Sequence, residues 1–255
     1  MEIMEPCELL QWDTEFFGLR IGRVVGHRLN LQRTKNILEW CEARAIDCLY
    51  FLADPNHQQT VRLAEDHGFC LVDIRVTLEC KVQDRKFENI RYQSQKVKVR
   101  PSHSKDIAFL QKIARTLYGD SRFYFDPGFS TEFCHKLYET WIKLSCEGYA
   151  DVVIVAEVKK QPVGYISCHL SSNKSIGQIG LLGIASQVSG RKIGNLLVRH
   201  SLEWFAEKGV DIVRVVTQGR NIPAQRLYQR CGFLACDVQL WYHKWFPNQV
   251  KRETL

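Results

Sequence analysis

Residues 176–195 read IGQIGLLGIASQVSGRKIGN. An apolar run ends at Ile184 and Ala185, a polar turn carries Gly190 and Gly194, and an amphipathic pattern then extends from about residue 192 to 208. The hydrophobic period changes from that of a buried strand to that of a helix across this turn. Glycines let a backbone turn sharply and approach a ligand, and the first N–H groups of a helix have no acceptor inside it. The junction is therefore a natural seat for a diphosphate, to which Arg191 and Lys192 add side-chain charge. Without a ligand the same residues form an ordinary glycine-bearing connection.

Before and within this stretch, strands are predicted at 97–100, 152–157, 163–170 and 175–184, and helices at 104–118 and 131–145. Beyond the long helix come a strand, a short helix and two final strands ending in LWYHKW. This order predicts an α/β (α+β) fold around a mixed sheet.

The chain before residue 97 repeats part of the chain after it. Shifted by 164 positions without gaps, Leu38, Glu39 and Trp40 fall on Leu202, Glu203 and Trp204, and Arg62 and Leu63 fall on Arg226 and Leu227. Gly68, Phe69 and Asp73 fall on Gly232, Phe233 and Asp237. Each copy reads as an α-β-α-β unit whose second helix stops at a glycine, where the left-handed conformation carries little steric cost. The copies diverge where chemistry would show: Tyr228 stands opposite Ala64, Asn221 opposite His57, and nothing before residue 36 matches the glycine turn. The expected organisation is a degenerate N-terminal domain over 1–82, a linker over 83–95 and a complete domain over 96–255.

Length and composition agree. A chain of 255 residues holds one large or two modest domains, and 45% hydrophobic with 25% charged residues is the balance of a globular protein. No apolar run reaches the roughly 18 to 20 residues of a membrane span, and the opening MEIMEPCELLQW lacks the pattern of a signal peptide, so a cytoplasmic location and no membrane partner are expected. The ten cysteines show no CxxC pair and read as reduced, mostly buried thiols; the eight histidines show no ligand spacing, so no metal is expected. A net charge of +7 invites an anionic partner. Its densest stretch, Arg85, Lys86, Arg91, Lys96, Lys98 and Arg100, carries no nucleic-acid motif and reads as a solvated connector.

The run from Gly183 through LLVRHSLEW, followed by VVTQGRNIPAQRLYQRCGF, resembles the Gcn5-related N-acetyltransferase (GNAT) superfamily. In that superfamily an Arg/Gln-x-x-Gly-x-Gly/Ala turn cradles the pyrophosphate of coenzyme A, and a later Asn…Tyr…Gly-Phe segment flanks the thioester. Ser189 stands at the first of those positions, Lys192 at the middle glycine and Gly194 at the last, so two of the three depart, while the neighbouring Gly190 is kept. A resemblance over nearly the whole chain is to the bacterial TDP-fucosamine N-acetyltransferases, through LLQWDTEFFG, SRFYFD followed by YETW, IGQIGLLGIA and QLWYHKW. It implies a largely antiparallel sheet flanked by helices, an incomplete N-terminal half, acetyl-CoA as co-substrate and direct attack by an amine.

The resemblance implies roles. Ile184 and Ala185 offer main-chain groups to the acetyl and pantetheine, and Gly190, Arg191, Lys192, Ile193 and Gly194 hold the diphosphate. Tyr228 faces the sulfur of coenzyme A as catalytic donor, and Asn221 bonds the pantetheine. Asp73 helps bind or deprotonate the amine. An unshifted phenol near pKa 10 is a weaker acid than a thiol near 8.5, so a hydrogen bond to the thiolate, or a lowered phenol pKa, is easier than full proton transfer. Ser121, Arg122 and Asp126, in an aromatic-rich loop, suit a nucleotide sugar. Structural alternatives stand beside these: a core aromatic for Tyr228, a helix-start residue for Asn221, a strand turn for Asp73 and an ion pair for Arg122 with Asp126. The partner is a small molecule, by this reading a nucleotide amino sugar; a homodimer is compatible with the sequence. Other acceptors (an aminoglycoside, a polyamine, a peptide N-terminus) and a non-catalytic acyl-CoA-binding module remain the competing functions.

Overall fold

The computed structural model describes residues 5–82, 97–173 and 175–246. The linker expected at 83–95 lies outside the described residues, as do Arg85, Lys86, Arg91 and Lys96. The chain forms two compact units, one of Met1–Arg75, Phe125–Gly128 and Val238–Leu255, the other of Val76–Tyr124 and Phe129–Asp237.

The first unit contains β1 (Cys7–Leu9), α1 (Gln11–Phe17), β2 (Ile21–Val24), α2 (Leu31–Ala43), β3 (Cys48–Ala53), α3 (Gln58–Asp66) and the start of β4 (Cys70–Lys81). The second contains β5 (Val97–Pro101), α4 (Ile107–Ala114), the short α5 beginning at Arg122 (Arg122–Phe125), α6 (Thr131–Leu144), β6 (Val152–Val158), β7 (Gln161–Leu170) and β8 (Ile176–Ile184). It continues with α7 (Ile193–Glu207), β9 (Ile212–Gln218), α8 (Ile222–Arg230) and the start of β10 (Leu234–Trp245), whose end returns to the first unit.

Strands of the first unit lie in the order β1-β2-β3-β10-β4. β2 runs parallel to β3, and β10 runs antiparallel to it, with Leu240 opposite Ala53 and Trp245 opposite Cys48. The CLYFLA of β3 is buried at every position, as its unbroken apolar run requires of a strand covered on both faces. Ile37 and Trp40 of α2 and Leu63 of α3 pack with Leu49, Phe51 and Tyr242 to form its core.

In the second unit the order is β10-β4-β9-β8-β7-β6-β5. β5 to β8 form an antiparallel meander, and β8 pairs parallel with β9. The apolar face of α7, with Leu197, Val198, Leu202 and Phe205, packs on Ile166, Ile179, Val213 and Val215. Arg100 corrects the reading of the basic stretch as solvated. Its guanidinium, only 12% exposed, pairs with Asp106 at 2.6 Å and Glu157 at 2.7 Å.

Adding 164 to the bounds of α3 and β4 gives those of α8 and β10. Gly68 and Gly232 both take the left-handed φ expected of them, +74° and +84°, and the phenylalanines after them are buried. The two final strands expected are instead one of 12 residues, since LACDVQLWYHKW holds no glycine or proline to break it. Within each unit, the strand between a repeat's own two strands comes from the other repeat: β10 between β3 and β4, and β4 between β9 and β10. Arg75 and Gln239, equivalent under the repeat, meet there, Nη1 donating to Oε1 at 3.2 Å.

Candidate active site

The site begins with a bulge in β8. Its pairing with β7 shifts register between Ile166 and Cys168, which leaves Gly180 and Leu181 as the irregular residues of β8. Ser167 Oγ takes up the freed Leu181 N–H at 2.8 Å. A Cβ on Gly180 would lie 2.6 Å from His169 Nε2 and 2.7 Å from Ser167 Oγ, so only glycine fits. Pairing with β9 runs from Ile176 opposite Ile212 to Ile179 opposite Val215 and goes no further. Past the bulge, β8 and β9 part.

Alternation of the antiparallel ladder decides which groups face the gap. Ala185 N–H donates to Val163 O at 2.8 Å, so Ile184, opposite Gly164, turns both its N–H and its C=O away from β7. The C=O of Ala185 accepts from Val188 N–H at 3.0 Å, which uses one of its two lone pairs. Of the expected pair, Ile184 turns both main-chain groups away from the ladder.

At the start of α7, Leu196 is the first residue whose N–H reaches into the helix, to Lys192 O at 3.1 Å, and no side chain caps the N–H groups before it. Its counterpart α2 is closed: Asn30 Oδ1 accepts from Arg33 N–H at 2.8 Å. The repeat that carries the glycine turn thus has no side-chain cap on its helix donors, whereas the other caps one of them itself. Gly190 has φ +78° with open space where a Cβ would stand, and Arg191 and Lys192 are exposed. Lys192 has φ +60°, so the position of the middle glycine keeps the glycine conformation although a lysine fills it. Ile193 is buried and points into the core, leaving its N–H as its contribution to the turn. Gly194 faces α8: its Cβ would stand 3.0 Å from Leu227 Cδ2. Its absent side chain serves helix packing.

Tyr228 is buried on α8 with its ring edge-on to Phe233, 5.6 Å between centroids. Among the described residues no hydrogen-bond partner is found for its hydroxyl. Burial pushes the phenol pKa up, with Cys231 adding to the effect. Of the two routes considered from sequence, this direction favours the protonated donor over a lowered phenol pKa. Asn221 caps α8, its Oδ1 accepting from Ala224 N–H at 3.0 Å and its Nδ2 donating to Gln218 Oε1 at 3.4 Å. Its side-chain oxygen is used as in any helix start.

Beside the gap stands a group of tyrosines that sequence reasoning missed. The Tyr118 hydroxyl lies 2.9 Å from that of Tyr165 and donates to Leu182 O at 3.2 Å, on the parted segment of β8. Tyr118 stacks on Tyr138 at 4.2 Å. Tyr124 stacks on Tyr138 in turn, and burial pushes its pKa up to about 12. Ser121 belongs to this group: its hydroxyl oxygen is enclosed next to the Tyr138 phenol. Arg122 opens the helical turn of α5, where a loop was expected, with its guanidinium 4.1 Å from the Phe123 ring centroid. The SRFYFD and YETW segments signalled the aromatic content, but nothing local to Tyr118 or Tyr165 marks their joint target.

Asp73 and Asp126 belong to the first unit. Asp73 is buried, with Oδ1 accepting its neighbour's N–H, from Ile74 at 2.8 Å, whereas its repeat partner Asp237 is exposed. Asp126 is buried as well. Its carboxylate accepts from Gly128 N–H and Trp245 Nε1 and bonds to Nδ1 of the buried His243. Burial works against the charge, but the bonds from His243, Gly128 and Trp245 outweigh it and hold the carboxyl below its usual pKa. Protein groups thus engage this carboxylate, fixing residues 125–128 to the end of β10.

The model of the Acetyltransferase (GNAT) family matches residues 114–233. This chain carries a GNAT acetyltransferase domain. The matched GNAT segment holds the bulged β8, the open start of α7 and Tyr228, and it leaves out Asp73. The spore coat polysaccharide biosynthesis protein SpsD of Bacillus subtilis is 26% identical over 151 residues, 59% of this chain and 52% of SpsD, so the match spans about half of that relative. The dTDP-fucosamine acetyltransferase of Escherichia coli O6:H1 is 25% identical over 247 residues, 96% of this chain and 100% of that one. A crystal structure of a GCN5-related N-acetyltransferase from Sphaerobacter thermophilus shares the fold, with a TM-score of 0.66 at 16% identity over 94% of this chain and 76% of the other.

Proposed function

We propose that the protein transfers the acetyl group of acetyl-CoA to the amino group of a nucleotide-linked amino sugar, by direct attack of the amine on the thioester. The observation that carries this reading is the parting of β8 from β9, with the free main chain of Ile184 on one side and the uncapped start of α7 at its end. These are the groups a thioester and a diphosphate call for: a lone N–H for the carbonyl oxygen and several N–H groups with two cations for the phosphates.

Acetyl-CoA supplies an activated acyl group. The N–H groups at the start of α7, with Gly190, Arg191 and Lys192, hold its diphosphate, and Ile184 N–H faces the oxygen on which charge develops. As the C–N bond forms and the C–S bond breaks, Tyr228 donates a hydrogen bond to the departing thiolate. Its raised pKa suits a donor that keeps its proton. Asp73 is assigned to the proton of the amine on the strength of the family resemblance alone. Ser121 and Arg122 are assigned to the sugar nucleotide: a hydroxyl and a guanidinium among aromatic rings suit its hydroxyl and phosphate groups. Asp126 contributes by fixing its segment.

The acceptor class rests on the end-to-end match to an enzyme named for dTDP-fucosamine. A net charge of +7 suits two anionic substrates, and we place the reaction in the cytoplasm. The test is release of coenzyme A thiol with acetyl-CoA and a panel of nucleotide amino sugars, aminoglycosides, polyamines and peptides. Turnover with the first class carries the proposal; turnover confined to another class replaces it.

A further inference from the structure

The bulge that opens β8 creates a problem for its own main chain. Leu182, opposite Ile166 in the same alternation that frees Ile184, turns its C=O away from β7, and β9 no longer pairs at that level. A carbonyl in such a place needs a donor or carries a desolvation cost. Tyr118 is that donor, at 3.2 Å. Because a carbonyl oxygen can only accept, the single proton of Tyr118 goes to Leu182, and Tyr165 donates in turn to Tyr118. Both rings are held: Tyr118 by its stack on Tyr138, and Tyr165, fully buried, by a β8 backbone that Gly183 leaves bare.

We infer that Tyr118 is a positioning residue for acetyl transfer: through its bond to Leu182 O it fixes the backbone of β8 so that the Ile184 N–H is presented at the acyl site. The Ile184 N–H sits between two anchored points, Leu182 O bound by Tyr118 and Ala185 N–H bound to Val163 O. Removing the Tyr118 bond leaves the segment held from one side only, by its ladder to β7 at Gly183 and Ala185. Burial holds the Tyr118 phenol protonated, as a permanent donor must be. Tyr165 supports Tyr118 and lies one bond further from the chemistry. The inference rests on the proposed acetyl transfer for its functional consequence and on the hydrogen-bond geometry for its structural one.

The experiment uses the full chain with Tyr118→Phe and Tyr165→Phe. The first reading is amide hydrogen exchange at Gly183 and Ala185, which needs no substrate. Tyr118→Phe should speed it about fivefold, the loss of one neutral hydrogen bond, without change at Ile212 to Val215 on β9. The second is kinetic: kcat for acetyl transfer should fall about fivefold to tenfold, while binding of coenzyme A itself, followed by calorimetry, stays within about twofold. Tyr165→Phe keeps the bond to Leu182 and should cost at most about half as much on each logarithmic scale. Unchanged exchange at Gly183 and Ala185 overturns the inference, whatever the acceptor. So does a kcat loss matched by an equal loss of coenzyme A binding and of melting temperature, the mark of general damage. If the wild type acetylates no amine tested, the functional proposal fails by itself, and the exchange result still decides whether Tyr118 holds β8.

Discussion

Replacing Gly183 with alanine tests whether the packing behind β8 is as tight as it looks. An added Cβ would stand 2.5 Å from Tyr165 Cζ, 2.6 Å from Cε1 and 2.7 Å from Oη. Carbon atoms in contact keep about 3.5 Å, so the ring must retreat by about 1 Å. Tyr165 is fully buried and its hydroxyl is tied to Tyr118 at 2.9 Å, so the retreat both strains the core and breaks that bond. Overpacking costs about 1–3 kcal/mol and the lost bond about 1 kcal/mol, or about 2–4 kcal/mol together. At about 2–4 °C per kcal/mol for a chain of this size, the midpoint should fall by about 5–15 °C in a thermal melt followed by circular dichroism. Gly119→Ala is the control, since no atom lies within 4 Å of its Cβ position. A Gly183→Ala midpoint within about 2 °C of wild type would refute the reasoning, because only a ring free to move gives that result.

Tyr228→Phe keeps the ring on Phe233 and removes only the hydroxyl, so kcat should fall by about 10² to 10³ with acetyl-CoA affinity nearly unchanged; a folded variant with more than about half the wild-type kcat contradicts the donor role. Lys192→Gly relieves the left-handed strain of a lysine at φ +60° and should leave stability equal or raised by about 1 kcal/mol, yet weaken acetyl-CoA binding through the lost charge. Denaturant melts with calorimetry separate the two effects. Asp106→Asn breaks the enclosed pairing with Arg100, which by its hydrogen bond holds the Asp106 pKa below its usual value. A depressed carboxyl contributes stability above its unfolded pKa of about 3.9 and loses it as pH falls through the folded value. The variant should therefore be less stable by about 3 kcal/mol at pH 7, with the gap to wild type closing below about pH 4.

Much of the fold was legible because its signals are local. The stop at Gly232-Phe233 and the Asn221 start bound α8 in the sequence, and the 164-residue shift carried both ends to α3. The strand-turn-helix at 184–195 was visible as a change of period, and so was its glycine turn. What escaped depends on partners distant in sequence. β10 is continuous because it inserts beside β3, and no residue within LACDVQLWYHKW announces that neighbour. Asp126 looked like a surface loop carboxylate, since His243 and Trp245, which bind it, lie more than a hundred positions away. Tyr118 and Tyr165 share Leu182 only once β8 has bulged, and a bulge is set by register across two strands. The left-handed Lys192 was hidden by its side chain: the backbone there is glycine-like although the residue is not.

The most direct measurement of the central claim compares two acceptors that differ only in the nucleotide. Initial rates of coenzyme A release with acetyl-CoA give kcat/KM for a nucleotide-linked amino sugar and for the same amino sugar without its nucleoside diphosphate. If the protein acetylates nucleotide amino sugars, the linked form should be favoured by at least about 100-fold, on the order of 3 kcal/mol, the scale of a charge-assisted contact or two lost with the diphosphate. Equal kcat/KM for the two acceptors, or turnover of the free amine alone, would contradict the account.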